Sequence, residues 1–232
     1  MLTAPNELHY EVRDLYELTG DGKGFPAMIN LSIPGQMSEN ELRAIEALAR
    51  SAPRGACIVE VGSLFGRSSF TWASSAPDST IYCIDPWERD PWIIELENTI
   101  PNCPKFGQDA FLRFTSQCKN IIPIRGRSPG DVRSWNIPVD IFFDDAVHYN
   151  PFLRHNLRFW LCFMKPGGVM AGHDYGDTWP DVKAEVDALA HELRSSVSTC
   201  ETLWWVKIPE SFIGVPWWTK LLRRYLPTRL LH

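Results

Sequence analysis

Two short stretches of the chain concentrate the side chains that move protons and bind metals. Phe142-Phe143-Asp144-Asp145-Ala146-Val147-His148 and Gly172-His173-Asp174-Tyr175 together carry three carboxylates and two imidazoles. If both stretches end neighbouring strands, the five groups meet in one place, at a cost in repulsion and desolvation that structure alone gives little reason to bear. Such a group can accept a proton from a substrate or ligate a divalent cation. The plainer alternative makes these residues helix caps and ion pairs.

A third stretch, Ile58-Val59-Glu60-Val61-Gly62-Ser63-Leu64-Phe65-Gly66-Arg67-Ser68, reads as an apolar strand, a glycine turn and a helix beginning near Ser68. Glycine lets the backbone approach a ligand, and a helix N-terminus offers free N–H groups. The spacing is G-x-x-x-G and not G-x-G-x-x-G, so the dinucleotide fingerprint is absent and another nucleoside ligand is favoured. Asp85 lies 25 residues beyond Glu60, where an acid commonly holds ribose hydroxyls. Trp87 follows closely and offers a ring for an adenine face, while Gly126-Arg127-Ser128 is placed to wrap the base edge. Each has an ordinary alternative: a cap or ion pair for Glu60 and Asp85, core packing for Trp87 in a chain with ten tryptophans.

These residues need strands to deliver them. Five apolar runs qualify: Ala56 to Gly62, Thr80 to Asp85, Asn120 to Gly126, Val139 to Asp145 and Gly168 to Asp174. Helical patterns alternate with them over Ser68 to Ala76, Phe106 to Cys118, Asn150 to Met164 and Asp181 to Leu193. The alternation predicts an α/β fold, a doubly wound, mostly parallel Rossmann-like sheet whose ligands sit beyond the carboxyl ends of the strands. Ser38 and Glu41 form a capping box ahead of a helix ending near Arg50. Val197 to Ile208 reads as an antiparallel closing pair or one bent strand.

The remainder of the chain flanks that sheet. Residues 1–36, rich in Gly, Pro and Asn, read as an arm or lid with a short helix near Tyr10 to Leu18. In the tail, Trp217, Trp218, Leu221, Leu222 and Tyr225 share a helical face opposite Lys220, Arg223 and Arg224, a pattern for a membrane surface, a second subunit or the chain's own core. Substrate recognition is expected from the arm, from Asp90 to Pro104 and from Tyr175 to Pro180, with Trp92, Trp179 and Tyr175 available to stack.

The 232 residues suffice for one α/β domain, and 23 basic against 28 acidic residues leave no basic excess for nucleic acid. Six scattered cysteines without a C-x-x-C pair, and no leader-like pattern after Met1, suggest a reducing cytoplasm.

Taken in order, EVGSLFG, CIDPW, DDAVH and KPGGVMAGHDY, followed by WPDVKAEV, resemble class I S-adenosylmethionine-dependent methyltransferases over approximately residues 36 to 208. Within them the chain is most similar to small-molecule O-methyltransferases that include macrolide-sugar enzymes and cephamycin-cluster relatives. The resemblance implies that Glu60, Gly62, Ser63, Gly66, Ser68 and Asp85 hold the cofactor, and the residue reading adds Trp87, Ser128 and Asp144 as further cofactor contacts. It implies a metal, Mg2+ or Mn2+, on Asp145, His173 and Asp174, and His148 as the base. It implies a small-molecule or glycosyl acceptor, no nucleic acid, and a possible homo-oligomer. The domains would be an arm at 1–36, a methyltransferase domain at 37–208 and an amphipathic tail at 209–232. Where the family has paired acids this chain has His173-Asp174, a mixed set that suits Mn2+, Fe2+ or Zn2+ better than Mg2+, or that leaves His173 to contact substrate. Asp144 either turns to the cofactor's amino group or is buried against the sheet. Two rival functions remain: an iron-dependent hydroxylase using His148, His173 and Asp145, and a non-catalytic nucleoside-binding scaffold.

Overall fold

The computed structural model describes residues 8–9 and 29–213. In chain order the elements are β1 (Leu8–His9), α1 (Glu39–Ser51), β2 (Cys57–Val61), α2 (Arg67–Ser75), β3 (Thr80–Asp85), α3 (Pro91–Thr99), α4 (Gln108–Phe114), β4 (Ile121–Arg125), β5 (Val139–Asp144), α5 (Phe152–Leu161), β6 (Met164–Gly172), α6 (Pro180–Leu193), β7 (Val197–Cys200) and β8 (Leu203–Lys207). The expected helix near Tyr10 to Leu18, most of the arm and the tail beyond Ile213 lie outside the described residues.

Local chemistry sets the helix starts. At α1 the Glu41 amide donates to Ser38 Oγ at 3.2 Å and the Ser38 amide donates to Glu41 Oε2 at 2.9 Å, which satisfies two orphan donors reciprocally. At α3, absent from the expectation, Asp90 Oδ1 accepts from the Ile93 amide at 2.9 Å and Pro91 supplies a preset first turn. No side chain caps α2; it starts after Gly66, at φ +96°, so its amide groups remain available.

The eight strands run in the order β1-β7-β8-β6-β5-β2-β3-β4, all parallel except β8. This is the doubly wound, mostly parallel sheet expected. Val197 to Ile208 resolves into the β7–β8 hairpin, with Cys200 opposite Leu203. The pairing register puts Ile84, Val61, Asp144 and Gly172 in one row across four strands. The next residue of each strand therefore stands on one rim: Asp85, Gly62, Asp145 and His173.

Alternation along the strands feeds two cores. Ile58, Ile81, Phe143 and Ala171 pack under α1 and α2, while Val59, Phe142, Met170 and Val206 pack under α5 and α6. Trp160 of α5 stacks on Phe142 with ring centroids 5.3 Å apart, and Trp72 of α2 meets Phe143 edge-on at 5.7 Å. No helix among the described residues is long and apolar enough to cross a membrane.

Phe143 is fully buried beneath Trp72, so Phe143→Ala should cost about 3–5 kcal/mol in urea denaturation. A loss under about 1 kcal/mol would show that α2 is not held to the sheet through this contact.

Candidate active site

The strand–turn–helix at β2–α2 leaves no room for a side chain at its centre. Gly62 sits at φ +87°, and a Cβ there would lie 2.0 Å from the Asp145 carbonyl oxygen. Beside it Glu60 is fully buried; the Ser69 hydroxyl donates to Oε2, while Oε1 and the buried Ser63 hydroxyl have no partner. Burial pushes the Glu60 carboxyl up, opposed by the Ser69 hydrogen bond. The unpartnered Glu60 Oε1 and Ser63 hydroxyl leave polar atoms beside the turn that could serve a polar ligand.

Asp85 closes the other side of the turn. Its Oδ2 accepts from the Leu64 amide at 3.0 Å and its Oδ1 from the Trp87 amide at 2.6 Å, which fixes the carboxylate at the strand end. Burial raises its pKa to about 6, opposed by those backbone donors. Leu64 and Trp87 both hold positive φ, 49° and 45°, so local strain collects around this acid.

Trp87 and Ser128 need correction here, and Asp144 takes the buried one of its two alternatives. Trp87 is buried; its indole N–H donates to the Leu64 carbonyl at 3.1 Å and its ring packs on Phe111 at 4.9 Å, so it braces two loops instead of offering a face to adenine. Ser128 spends its hydroxyl inside the protein, donating to Asn156 Oδ1 at 2.6 Å and accepting from Trp160 Nε1 at 2.9 Å. Asp144 is buried against the sheet on the same network: Asn156 Nδ2 donates to its Oδ2 at 3.0 Å, while Oδ1 has no partner. Burial pushes the Asp144 carboxyl up to about 7; Asn156 opposes the shift and the charge of Asp145 adds to it.

The acids and imidazoles of β5 and β6 meet on the rim. His148 Nε2 lies 2.8 Å from Asp174 Oδ2 and 4.0 Å from Asp145 Oδ1. His173 Nδ1 lies 3.4 Å from Asp174 Oδ2 and 3.8 Å from Asp145 Oδ1. Asp174 takes φ +65°, a left-handed conformation that Asp tolerates, and this turns its carboxylate back toward both rings. One ligand atom each from Asp145, His148 and Asp174 lies within 4.8 Å of the others, a donor set of two oxygens and one nitrogen that fits a divalent cation. Both imidazoles border this carboxylate pair, His148 nearer Asp174 and His173, the imidazole expected there, slightly nearer Asp145. The exposed Trp179 packs its ring 4.6 Å from that of His148, whereas Tyr175 is buried and donates its hydroxyl to Asp187 at 2.8 Å. Of the two aromatics, only Trp179 is exposed.

Two residues at the site escaped the sequence reading. Glu41, the capping-box acid of α1, places Oε1 3.0 Å from His173 Nε2, and Thr202 in the β7–β8 turn donates its hydroxyl to the same oxygen at 2.8 Å. The box was visible, but the partnership spans 132 residues and has no local pattern. Burial would raise the Glu41 carboxyl, yet the hydrogen bond and charge of His173, with Ser38 and Thr202, bring it down to about 2.

Over the glycine turn runs the strap Pro34–Met37. Arg67 holds it by donating to the Ile33 carbonyl at 2.6 Å and the Met37 carbonyl at 2.9 Å. The cleft between strap and turn measures about 20 Å3. A far larger cavity of about 650 Å3 opens at the other end of the sheet, beside the Asp140–Lys165 ion pair. Volume is thus no guide to the chemistry, which lies at the strands' carboxyl ends.

Burial works against protonation of both imidazoles, but hydrogen bonds and charge from their acids win, raising His148 to about 9 and His173 to about 10 from 6.5. A raised folded-state pKa contributes stability that is complete below the unfolded value and lost as pH passes the folded one. In chelator-treated protein the urea midpoint should therefore fall as pH rises from about 6.5 toward 10, less steeply in His148→Asn. A flat profile over that interval would contradict the charge pairing.

The family model described as "Methyltransferase domain" matches residues 59–175, the span from β2 through both acid-bearing strand ends. Among solved structures, the fold is similar to the O-methyltransferase TomG of Streptomyces achromogenes, involved in tomaymycin synthesis and solved with S-adenosylmethionine, at 19% identity and TM-score 0.53, covering 75% of this chain and 82% of that one. It is similar to a Staphylococcus aureus protein assigned by inference as a caffeoyl-CoA O-methyltransferase, at 15% identity and TM-score 0.54, covering 85% and 91%. It is also similar to an rRNA methylase of Streptococcus thermophilus, at 12% identity and TM-score 0.51, covering 75% and 99%. A search of curated protein sequences gives no significant match. With just over half its residues matched, the chain belongs to the methyltransferase domain family, in a Rossmann-like methyltransferase fold.

Proposed function

We propose that this S-adenosylmethionine-dependent methyltransferase is an O-methyltransferase acting on a hydroxyl of a small-molecule or glycosyl acceptor, assisted by a divalent cation. The observation that carries the reading is the meeting of Asp145, His148, His173 and Asp174 on the rim beside the Gly62 turn. The fold leaves the acceptor open, since an rRNA methylase shares it. The chain's net charge of −5 and three rim carboxylates, Glu41, Asp145 and Asp174, disfavour a polyanion and suit an uncharged, hydroxylated acceptor.

When bound, S-adenosylmethionine supplies an electrophilic methyl on sulfur, whose C–S bond breaks as the acceptor oxygen attacks. The chain's part is position and proton handling. Asp85, fixed by two backbone amides, accepts from ribose hydroxyls, and Gly62 lets the turn pack directly against the Asp145 backbone, which holds the two strand ends together. His148 takes the hydroxyl proton at Nε2 once that atom, buried against Asp174, is opened to an acceptor beside the exposed ring of Trp179. Its raised pKa means that pairing with Asp174 must loosen before it serves as base near neutral pH. Asp145, Asp174 and His173 Nδ1 would hold the cation, which lowers the pKa of a coordinated hydroxyl. The mixed oxygen and nitrogen set favours Mn2+ over Mg2+. His148 is the more exposed imidazole, 24% against 11%, which suits a base better than a ligand.

Calorimetric titration of the metal-stripped protein with S-adenosylmethionine, with NAD+ as control and then with Mn2+, tests the reading. Binding of S-adenosylmethionine alone, strengthened by Mn2+, is expected; no binding overturns it. On a hydroxylated acceptor found by S-adenosylhomocysteine release, His148→Ala should lose about 10²- to 10⁴-fold in rate with Mn2+ affinity retained. Loss of Mn2+ binding instead would make His148 a ligand. Fe2+-dependent oxygen uptake without methyl transfer would favour the hydroxylase.

A further inference from the structure

The strongest unspent feature of the site is the hub at Glu41 Oε1. Three groups converge on that single oxygen: the Thr202 amide at 3.1 Å, the Thr202 hydroxyl at 2.8 Å and His173 Nε2 at 3.0 Å. Oε2 is already committed to the Ser38 amide. Glu41 is buried, only 3% exposed, so its carboxylate is tolerated there because both oxygens are fully engaged.

Donor and acceptor accounting at His173 then has one solution. Nε2 faces Glu41 Oε1 and, at 2.9 Å, Thr202 Oγ1. The carboxylate can only accept, and the threonine hydrogen is spent on that carboxylate, so both neighbours of Nε2 are acceptors. Nε2 must carry a proton. The ring's other nitrogen, Nδ1, is left facing Asp174 Oδ2 and Asp145 Oδ1. The backbone of His173 is held as well: its amide donates to the Asp144 carbonyl at 3.1 Å and its carbonyl accepts from Trp204 Nε1 at 3.2 Å.

We infer that Glu41 is a positioning residue of the reaction centre: with Thr202 it holds the Nε2 proton of His173 and presents Nδ1 to the space between Asp145 and Asp174. The inference deepens the proposed function and rests on it only for the use made of Nδ1. A carboxylate behind an imidazole fixes the ring's orientation and tautomer and raises its basicity as a ligand. Glu41 does so from α1, an element with no ligand of its own. The capping box that starts this helix thereby supports the site, and the strap Pro34–Met37 leads directly into it.

The test compares wild type with Glu41→Gln, Thr202→Val and Ser38→Ala, using long-range ¹H–¹⁵N correlation spectra of the His173 ring and Mn2+ titration. Glutamine keeps the size of the side chain and suits the third helical position, but it cannot accept on both ends. In wild type the His173 Nε2 proton is expected to be present and protected from exchange. In Glu41→Gln the ring signals should shift and that protection should be lost, with Mn2+ affinity falling about 10- to 100-fold. Thr202→Val should move the same signals in the same direction by a smaller amount. Ser38→Ala removes half the capping box and leaves the carboxylate, so it should lower stability without moving the ring signals. Unchanged His173 signals in folded Glu41→Gln, or ring changes in Ser38→Ala as large as those in Glu41→Gln, would overturn the inference. Should wild type bind no Mn2+, the metal-assisted reading falls, while the ring spectra still decide the positioning role.

Discussion

Everything on the rim depends on how closely two backbones pass one another at Gly62. The turn after β2 runs so near the start of the loop after β5 that the Asp145 carbonyl oxygen fills the space a side chain would need. The contact is reinforced from both sides, because the Asp145 amide donates to Val61 and the Gly62 amide donates to Ile84. The glycine turn and the acid–imidazole cluster are thus one rigid assembly, joined by main chain instead of side chain. A methyl donor held by the turn and a hydroxyl held by the cluster would meet at a separation set by the sheet. Such fixed proximity is what a bimolecular displacement most needs from a protein.

The cluster itself balances charge tightly. Glu41, Asp145 and Asp174 face two imidazoles, and protonation of both rings leaves one net negative charge among five groups. A divalent cation and an imidazolium proton are alternative ways of quenching the same carboxylates, so metal binding should release protons. Asp174 is the pivot, since both rings reach the same Oδ2 atom.

The sheet was legible because buried parallel strands are short, continuous and apolar, and each ended in a turn or helix signal. Pro91–Thr99 was missed as a helix although Asp90-Pro91 is a usable start signal; its apolar residues do not form a clean stripe, and Ile93 is its only fully buried side chain. The early start of β6 at Met164 was hidden by Lys165-Pro166-Gly167-Gly168, which reads as a turn. At the site, the proximity of Asp145, His148, His173 and Asp174 follows from strand ends and was readable. The direction of an aromatic ring was not: Trp87 and Tyr175 carry the same composition signal as Trp179, and only tertiary packing sends them inward. Glu41 was recognised for half of what it does, because a capping box engages one oxygen and says nothing of the other.

The reversal of β8 has a consequence for biosynthesis. Because β7 and β8 form a hairpin, the turn holding Thr202 returns to the reaction rim, and it reaches Glu41 across 161 residues of sequence. Emerging from a ribosome at about 5–20 residues per second, the chain would expose Glu41 roughly 10–30 s before its partner. His173 likewise leaves the ribosome ahead of Thr202. A nascent chain can therefore form its glycine turn early, yet the Glu41–His173 contact is completed only by the turn before β8, the last strand among the described residues.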